Sequence, residues 1–189
     1  MRKVKIQWKS VVSSTVCLFL VCLIITVAVA GTHYLTNERI LYQQRLNFEH
    51  SMQHLLPGER FELIYVDEET DASVYLAFDR NDRVLGCLIS TYVMGYGGLI
   101  RVLTAIVDSK VYGVEIVDIG KETPGLGTHI THEDFLEQFV GSVDAPVLVR
   151  EPTSSVGEIQ AITGATISSV AVVEAVRLSL EMYYNVVID

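Results

Sequence analysis

The sequence predicts an α+β protein, in which an N-terminal transmembrane helix and a helical stalk precede a domain made of an antiparallel sheet and a C-terminal helix. Three observations support this prediction. An uncharged apolar stretch covers residues 11–31, and a series of short β-type segments separated by turns covers residues 61–119. Apolar side chains then recur at helical spacing in residues 168–184.

Charge is distributed unevenly along the chain, and this excludes several classes of protein. The 189 residues carry a formal net charge of −9. Four basic residues precede position 10, and no acidic residue precedes Glu38. The rest of the chain therefore contains the other 10 basic residues and all 23 acidic ones. A uniform globular domain and a disordered acidic chain are both excluded. The acidic bulk also argues against nucleic acid as a partner, because that would require a basic face.

The N-terminus has the pattern of a single membrane span. Residues 1–10 are predicted to be a basic cytoplasmic segment, because cations before an apolar run favour the cytoplasmic side. The 21 residues from Val11 to Gly31 form the predicted transmembrane helix. At a rise of about 1.5 Å per residue they would span roughly 30 Å, which matches a bilayer core. A signal peptide cleaved after Ala28-Val29-Ala30 is the alternative, although the apolar run is longer than usual for one.

Apolar periodicity predicts the elements that follow. A helical stalk is expected over residues 32–56, where Pro57-Gly58 ends it, and a compact domain over residues 57–189. Thr131 is expected to cap a short helix, and residues 168–184 form the last helix. The predicted strands are Phe61–Val66, Val74–Phe78, Val84–Tyr92, Ile100–Val107, Val111–Ile119 and Val147–Val149.

Three segments have compositions that suit neither a core strand nor a plain surface loop: Gly95–Ile100, Glu122–Gly127 and Thr163–Ser169. The third is small, hydroxylated and placed before a helix. A helix N-terminus offers unpaired N–H groups and a partial positive charge, so this segment suits a phosphate group. An ordinary Ser/Thr helix cap is the alternative that the residues leave open.

No metal site is predicted. His50 and His54 lie four residues apart on the expected stalk, but the sequence offers no third ligand, so a solvated helix face is favoured. A Ser-His-Asp arrangement is also missing from the sequence pattern, which disfavours a hydrolase.

In this order and spacing, the segments Gly95-Tyr96-Gly97-Gly98-x-Ile100, Glu122–Gly127 and Thr163-Gly164-Ala165-Thr166-x-Ser168 resemble the covalent FMN-binding domain. More narrowly, the chain resembles the G subunit of the Rnf ion-translocating electron-transport complex. The C subunit of the sodium-pumping NADH:quinone reductase shares the domain and the anchor and is the sister alternative. The resemblance covers nearly the whole chain, although Thr163 replaces the more common Ser.

The resemblance implies that FMN is attached covalently, through a phosphoester, to Thr166. A separate flavin transferase would attach it, taking FMN from FAD and recognising a string that includes Ser168. The other residues implied to bind the cofactor are Thr163, Gly164, Ala165, Tyr96, Gly97, Glu122, Thr123 and Leu126.

The resemblance also implies a function and a location. The chain would relay electrons within a ferredoxin- and NAD-coupled complex that moves Na⁺ or H⁺, and would not catalyse a reaction alone. Its partners would include a second flavin-bearing membrane subunit and an iron–sulfur-bearing membrane subunit. It would sit in the bacterial inner membrane with its FMN domain on the periplasmic side. A membrane-tethered binding module without redox chemistry is the alternative from another class.

Overall fold

The computed structural model describes residues 8–151 and 155–188. Residues 1–7 of the predicted basic segment therefore lie outside the described residues. Short 3-10 turns flank α2, and a π-helical turn follows α3. The elements in chain order are α1 (Trp8–Leu55), β1 (Arg60–Asp67), β2 (Ala72–Phe78), β3 (Val84–Met94), β4 (Leu99–Val107), β5 (Lys110–Asp118), α2 (Glu133–Leu136), β6 (Val147–Val149), β7 (Glu158–Gln160) and α3 (Thr166–Tyr183). The predicted α+β class, with an N-terminal apolar helix, an antiparallel sheet and a C-terminal helix, is confirmed.

The chain divides into two compact units, Met1–Leu46 and Asn47–Asp189. In the first unit, the segment Val12–Tyr34 of α1 is long and apolar enough to cross a membrane. Two of its threonine hydroxyls form hydrogen bonds inside the helix, because Thr26 donates to the carbonyl of Cys22 and Thr32 to that of Ala28. No polar group of these side chains is therefore left without a partner in an apolar surrounding.

The second unit is organised around a five-stranded antiparallel sheet in which β1 to β5 follow one another in sequence order. The connections are short, and the two-residue turn Asp108–Ser109 has positive φ at both positions, as a hairpin turn with the right-handed twist of the strands requires. β6 and β7 form a separate parallel pair. The sequence did not predict β7, because Ile159 is its only apolar residue.

Each face of this sheet packs against a hydrophobic core. Successive side chains of β4 point alternately into one core and the other. Val102 and Ile106 point into a core shared with α3. Leu103 and Ala105 point into a second, smaller core that contains Met52 near the end of α1. The compact unit therefore begins at Asn47, ten residues before the boundary expected at Pro57, because the last turns of α1 supply part of its core.

The predicted Thr131 helix cap is wrong. Thr131 ends a 3-10 turn, and its hydroxyl donates to the carbonyl of Thr128. The short helix α2 instead begins at Glu133 after His132, whose side chain makes no capping bond. The 3-10 turn thus uses the hydroxyl that the capping pattern assigned to the helix.

The inward face of α3 consists mainly of small residues, which lets the helix approach the sheet closely. Val172 and Val176 are fully buried there, whereas Val173 and Tyr183, which the spacing also marked as inward, are only partly buried. The buried residues of α3 are Ser168, Ser169, Ala171, Val172, Ala175, Val176, Ser179 and Leu180.

The packing of α1 against the sheet predicts a contrast between two neighbours on that helix. Met52 is buried and Gln53 is exposed. We expect Met52→Ala to lower the free energy of unfolding by about 2–5 kcal/mol, because it removes buried apolar surface and leaves a cavity. Gln53→Ala should change it by less than about 0.5 kcal/mol. Denaturant titration of the detergent-solubilised chain, followed by circular dichroism, measures both; equal effects would contradict the packing.

Candidate functional site

One cleft of about 490 Å³ lies where the β3–β4 turn, the loop after β5 and the start of α3 meet. This volume falls within the range of roughly 300–1,000 Å³ that is usual for small-molecule and cofactor sites. The cleft is lined by Tyr96, Glu122, Thr123, Leu126, Gly127, Gly164, Ala165, Thr166, Ile167 and Ser168.

The turn before α3 is held in place by backbone bonds and by one serine. The N–H of Ala165 donates to the carbonyl of Ile162 at 3.0 Å. The hydroxyl of Ser169 accepts from the N–H of Ile162 and donates to the carbonyl of Ala165. Gly164 has a φ of +83°, a left-handed conformation that favours glycine. These bonds place Thr166 as the first residue of α3, with its side chain exposed.

The N-terminus of α3 has no side-chain cap. The N-cap residue is Ala165, and no side chain forms a capping hydrogen bond. The first intrahelical bond is donated by the N–H of Ser169 to the carbonyl of Ala165 at 2.9 Å. The N–H groups of the preceding helical residues thus have no intrahelical acceptor, and they bring a partial positive charge to the cleft. The structure therefore does not show the ordinary Ser/Thr cap that was the alternative for this segment.

Glu122 is the buried acidic residue of the cleft, with only 5% of its surface exposed. Its Oε1 accepts the N–H of Gly97 at 3.0 Å, and its Oε2 accepts the hydroxyl of Ser168 at 2.8 Å. Two further glycines leave room for the carboxylate, because a Cβ at Gly95 or Gly127 would overlap its oxygens. One side chain therefore joins all three segments that the sequence singled out.

The Gly95–Gly98 turn is closed by a hydrogen bond from the N–H of Gly95 to the carbonyl of Gly98 at 2.8 Å. Gly97 lies against the backbone of Lys121, where a Cβ would overlap the Lys121 carbonyl. The turn leaves the Tyr96 side chain 70% exposed. An aromatic ring in that position offers a flat apolar surface to a planar ligand.

The loop after β5 also supplies apolar surface to the cleft. The N–H of Leu126 donates to the carbonyl of Thr123 at 3.2 Å, and Gly125 completes the bend with a φ of +78°. Leu126 stays half exposed and approaches Gly164, where a Cβ would lie 3.2 Å from its methyl group. The contact brings the second and third segments together across the cleft.

Most residues expected to bind the cofactor lie around this cleft: Tyr96, Glu122, Thr123, Leu126, Gly164, Ala165, Thr166 and Ser168. Thr163 and Gly97 do not line it, and Gly97 reaches the site through its N–H bond to Glu122. Sequence reasoning missed Ile167, whose side chain is 56% exposed at the cleft. The sequence feature that could have identified Ile167 is an apolar residue between two hydroxyl residues, Thr166 and Ser168, at the start of a helix. His54 lies elsewhere, with its Nδ1 3.0 Å from Glu115 Oε2.

The cleft and its helix terminus define a flavin-binding domain, since residues 95–181 match the family model described as the FMN-binding domain. Residues 1–55 match a second family model, the RnfG N-terminal region. The G subunits of three ion-translocating oxidoreductase complexes align over nearly the whole chain, and one of them is more than 30% identical. The chain therefore belongs to the RnfG family, the G subunits of ion-translocating oxidoreductase complexes.

These three relatives come from bacteria and an archaeon. The G subunit of the Na⁺-translocating ferredoxin:NAD⁺ oxidoreductase complex of Acetobacterium woodii is 34% identical, over 97% of this chain and 96% of its own. The G subunit of the ion-translocating oxidoreductase complex of Methanosarcina acetivorans is 30% identical, over 92% and 94%. The G subunit of the proton-translocating ferredoxin:NAD⁺ oxidoreductase complex of Clostridium ljungdahlii is 29% identical, over 91% of each chain.

A solved structure shares the fold. The crystal structure of Shewanella oneidensis NqrC aligns with a TM-score of 0.51 at 21% identity, over 61% of this chain and 60% of that one.

The cleft residues fit FMN in two ways. The uncapped N-terminus of α3 offers N–H groups to a phosphate, which is the common arrangement for phosphate at helix termini. Tyr96, Leu126 and Ile167 expose apolar surface around the same opening, as a planar apolar ring requires.

The close approach of two backbone segments at Gly97 predicts a specific sensitivity. We expect Gly97→Ala to lower the free energy of unfolding by about 1–3 kcal/mol, because the new methyl group overlaps a backbone carbonyl that cannot move aside. Gly113→Ala is the control. Its Cβ would meet only the end of the flexible Leu55 side chain, at 2.9 Å. Denaturant titration compares the two variants, and an equal or smaller loss at Gly97 would contradict the contact.

Proposed function

We propose that the chain carries FMN covalently, as a phosphoester on Thr166, and relays electrons through it. The observation that supports this proposal most directly is the position of Thr166. Thr166 is exposed and lines the cleft, as the first residue of a helix whose N-terminus has no side-chain cap. An ester phosphate at its hydroxyl oxygen would meet the free N–H groups of α3.

The attachment step requires a second protein. Thr166 Oγ1 forms a bond to the phosphorus of the FMN half of FAD, the phosphoanhydride bond of FAD breaks, AMP leaves, and the hydroxyl loses its proton. A threonine hydroxyl is a weak nucleophile without a base, and the carboxylate nearest in the cleft, Glu122, is already bonded to Gly97 and Ser168. A flavin transferase that supplies the base and the FAD accounts for both requirements.

The remaining cleft residues bind and orient the cofactor. Tyr96 and Leu126 both line the cleft and offer exposed apolar surface to the flavin ring. Thr123 is exposed at the same cleft and supplies a hydroxyl for the ring or the ribityl chain. When bound, the flavin supplies reversible electron transfer, which the surrounding protein adjusts through hydrogen bonds and burial.

Membership of the RnfG family gives this chemistry a setting. Two of the relatives are named as subunits of ferredoxin:NAD⁺ oxidoreductase complexes. This chain would act as an electron relay in such a complex, between a second flavin-bearing membrane subunit and an iron–sulfur-bearing membrane subunit. The relatives' names specify Na⁺ in one case and protons in another.

The proposed location follows from the N-terminal charges. The four cations before the apolar segment favour a cytoplasmic N-terminus. With one membrane span, the FMN domain would then lie on the periplasmic side of the bacterial inner membrane.

Attachment at Thr166 predicts a residue-specific loss of flavin. Chain co-expressed with a flavin transferase should show in-gel flavin fluorescence and a matching mass increment on Thr166. Thr166→Ala should lose both completely, because it lacks the oxygen that forms the ester. Thr166→Ser keeps that oxygen and should retain part of the labelling. Covalent flavin on the Thr166→Ala chain would refute the site.

Orientation can be tested by thiol labelling in intact cells. With Cys17 and Cys22 replaced by serine, the remaining Cys87 is buried, and burial raises the pKa of its thiol to about 12, so it should not react. Glu68→Cys places a thiol in the exposed turn after β1. We expect a membrane-impermeant maleimide to label it in cells with a permeable outer membrane. Lys5→Cys should be labelled only after lysis, and the reverse pattern would contradict the orientation.

A further inference from the structure

Glu122 and Ser168 form a buried polar pair at the edge of the cleft. Ser168 is 1% exposed, and its hydroxyl donates to Glu122 Oε2 at 2.8 Å. The other carboxylate oxygen accepts the N–H of Gly97. Both carboxylate oxygens of Glu122 thus act as hydrogen-bond acceptors.

The burial of Ser168 conflicts with one expectation drawn from the sequence. The resemblance implied that a flavin transferase recognises Ser168 as part of its target string. In the folded domain the Ser168 side chain is turned inward, while Thr166, two residues earlier, is exposed. An enzyme that meets the folded domain can reach the Thr166 hydroxyl and cannot reach that of Ser168.

We infer that Glu122 is a positioning residue for flavin attachment, and that Ser168 acts through it rather than by contact with the transferase. The inference rests on the proposed attachment of FMN to Thr166. The Glu122 carboxylate holds the first turn of α3 through Ser168 and holds the Gly95–Gly98 turn through Gly97. Together these bonds fix the helix terminus that presents the Thr166 hydroxyl.

The balance of hydrogen bonds makes the pair sensitive to the loss of either member. No Lys, Arg or His is among the residues that line the cleft. The Glu122 carboxylate is therefore stabilised there by its two hydrogen-bond donors, the N–H of Gly97 and the hydroxyl of Ser168. A buried carboxylate that loses one of two donors is more costly than a neutral amide in the same position. Glutamine at position 122 can still accept from Gly97, and its NH₂ group can donate to the Ser168 oxygen.

The test measures the rate of flavin attachment by purified transferase and FAD for four chains: wild type, Ser168→Ala, Glu122→Gln and the double variant. We expect Ser168→Ala to lower the maximal rate by about tenfold and Glu122→Gln by less than about threefold. The double variant should attach flavin faster than Ser168→Ala alone, because the amide tolerates the missing hydroxyl better than the carboxylate does.

The kinetic parameter that changes separates positioning from recognition. A positioning role lowers the maximal rate and leaves the KM of the transferase for the chain unchanged. Direct recognition of Ser168 would raise that KM, and Glu122→Gln would then give no rescue of Ser168→Ala. Either of those results would overturn the inference. Thermal unfolding of each chain before attachment shows whether a slow rate merely follows loss of the fold.

Ser51→Ala is the matched control. Ser51 is also a buried serine that donates to a glutamate, bonding Glu115 Oε1 at 2.5 Å, but neither residue lines the cleft. This variant should attach flavin at the wild-type rate. If the wild-type chain itself accepts no flavin, the proposed function fails together with this inference. If it is loaded and the double variant shows no rescue, this inference alone fails.

Discussion

The arrangement of the cleft depends on the two hydrogen bonds accepted by the Glu122 carboxylate. They connect a turn between two strands to the first turn of the last helix, which are far apart in the sequence. A buried carboxylate must be satisfied by nearby donors, so its presence determines where Gly97 and Ser168 lie. The glycines at positions 95 and 127 then follow from the same side chain, because a Cβ at either would occupy the volume of its oxygens.

The other glycines of these segments meet different physical requirements. Gly164 and Gly125 have positive φ and provide bends that other residues rarely adopt. Gly97 is needed for space, since the backbone at Lys121 passes too close for a side chain. A glycine-rich pattern in the sequence thus combined two causes, one conformational and one steric, and only the structure separates them.

The fold class could be predicted because its signals are strong and local, whereas the interior of the cleft could not. The uncharged apolar run and the short β-type segments separated by turns each reflect the local composition of single elements. β7 escaped prediction because a three-residue strand with one apolar side chain has no periodicity, and the Thr131 hydroxyl was assigned to the wrong element. Spacing alone does not show that Glu122 is buried or that its partner is Ser168, because both facts depend on contacts between distant segments.

The exposure of Tyr96 and Leu126 has a consequence for how such a domain exchanges electrons. Both side chains line the cleft and remain exposed, so a flavin ring that packs on them would keep one edge near the surface of the protein. No small molecule then has to diffuse into a closed pocket and leave again. The rate of electron transfer would then depend on how often the domain meets neighbouring proteins. Confinement of both proteins to the same lipid bilayer would raise that frequency.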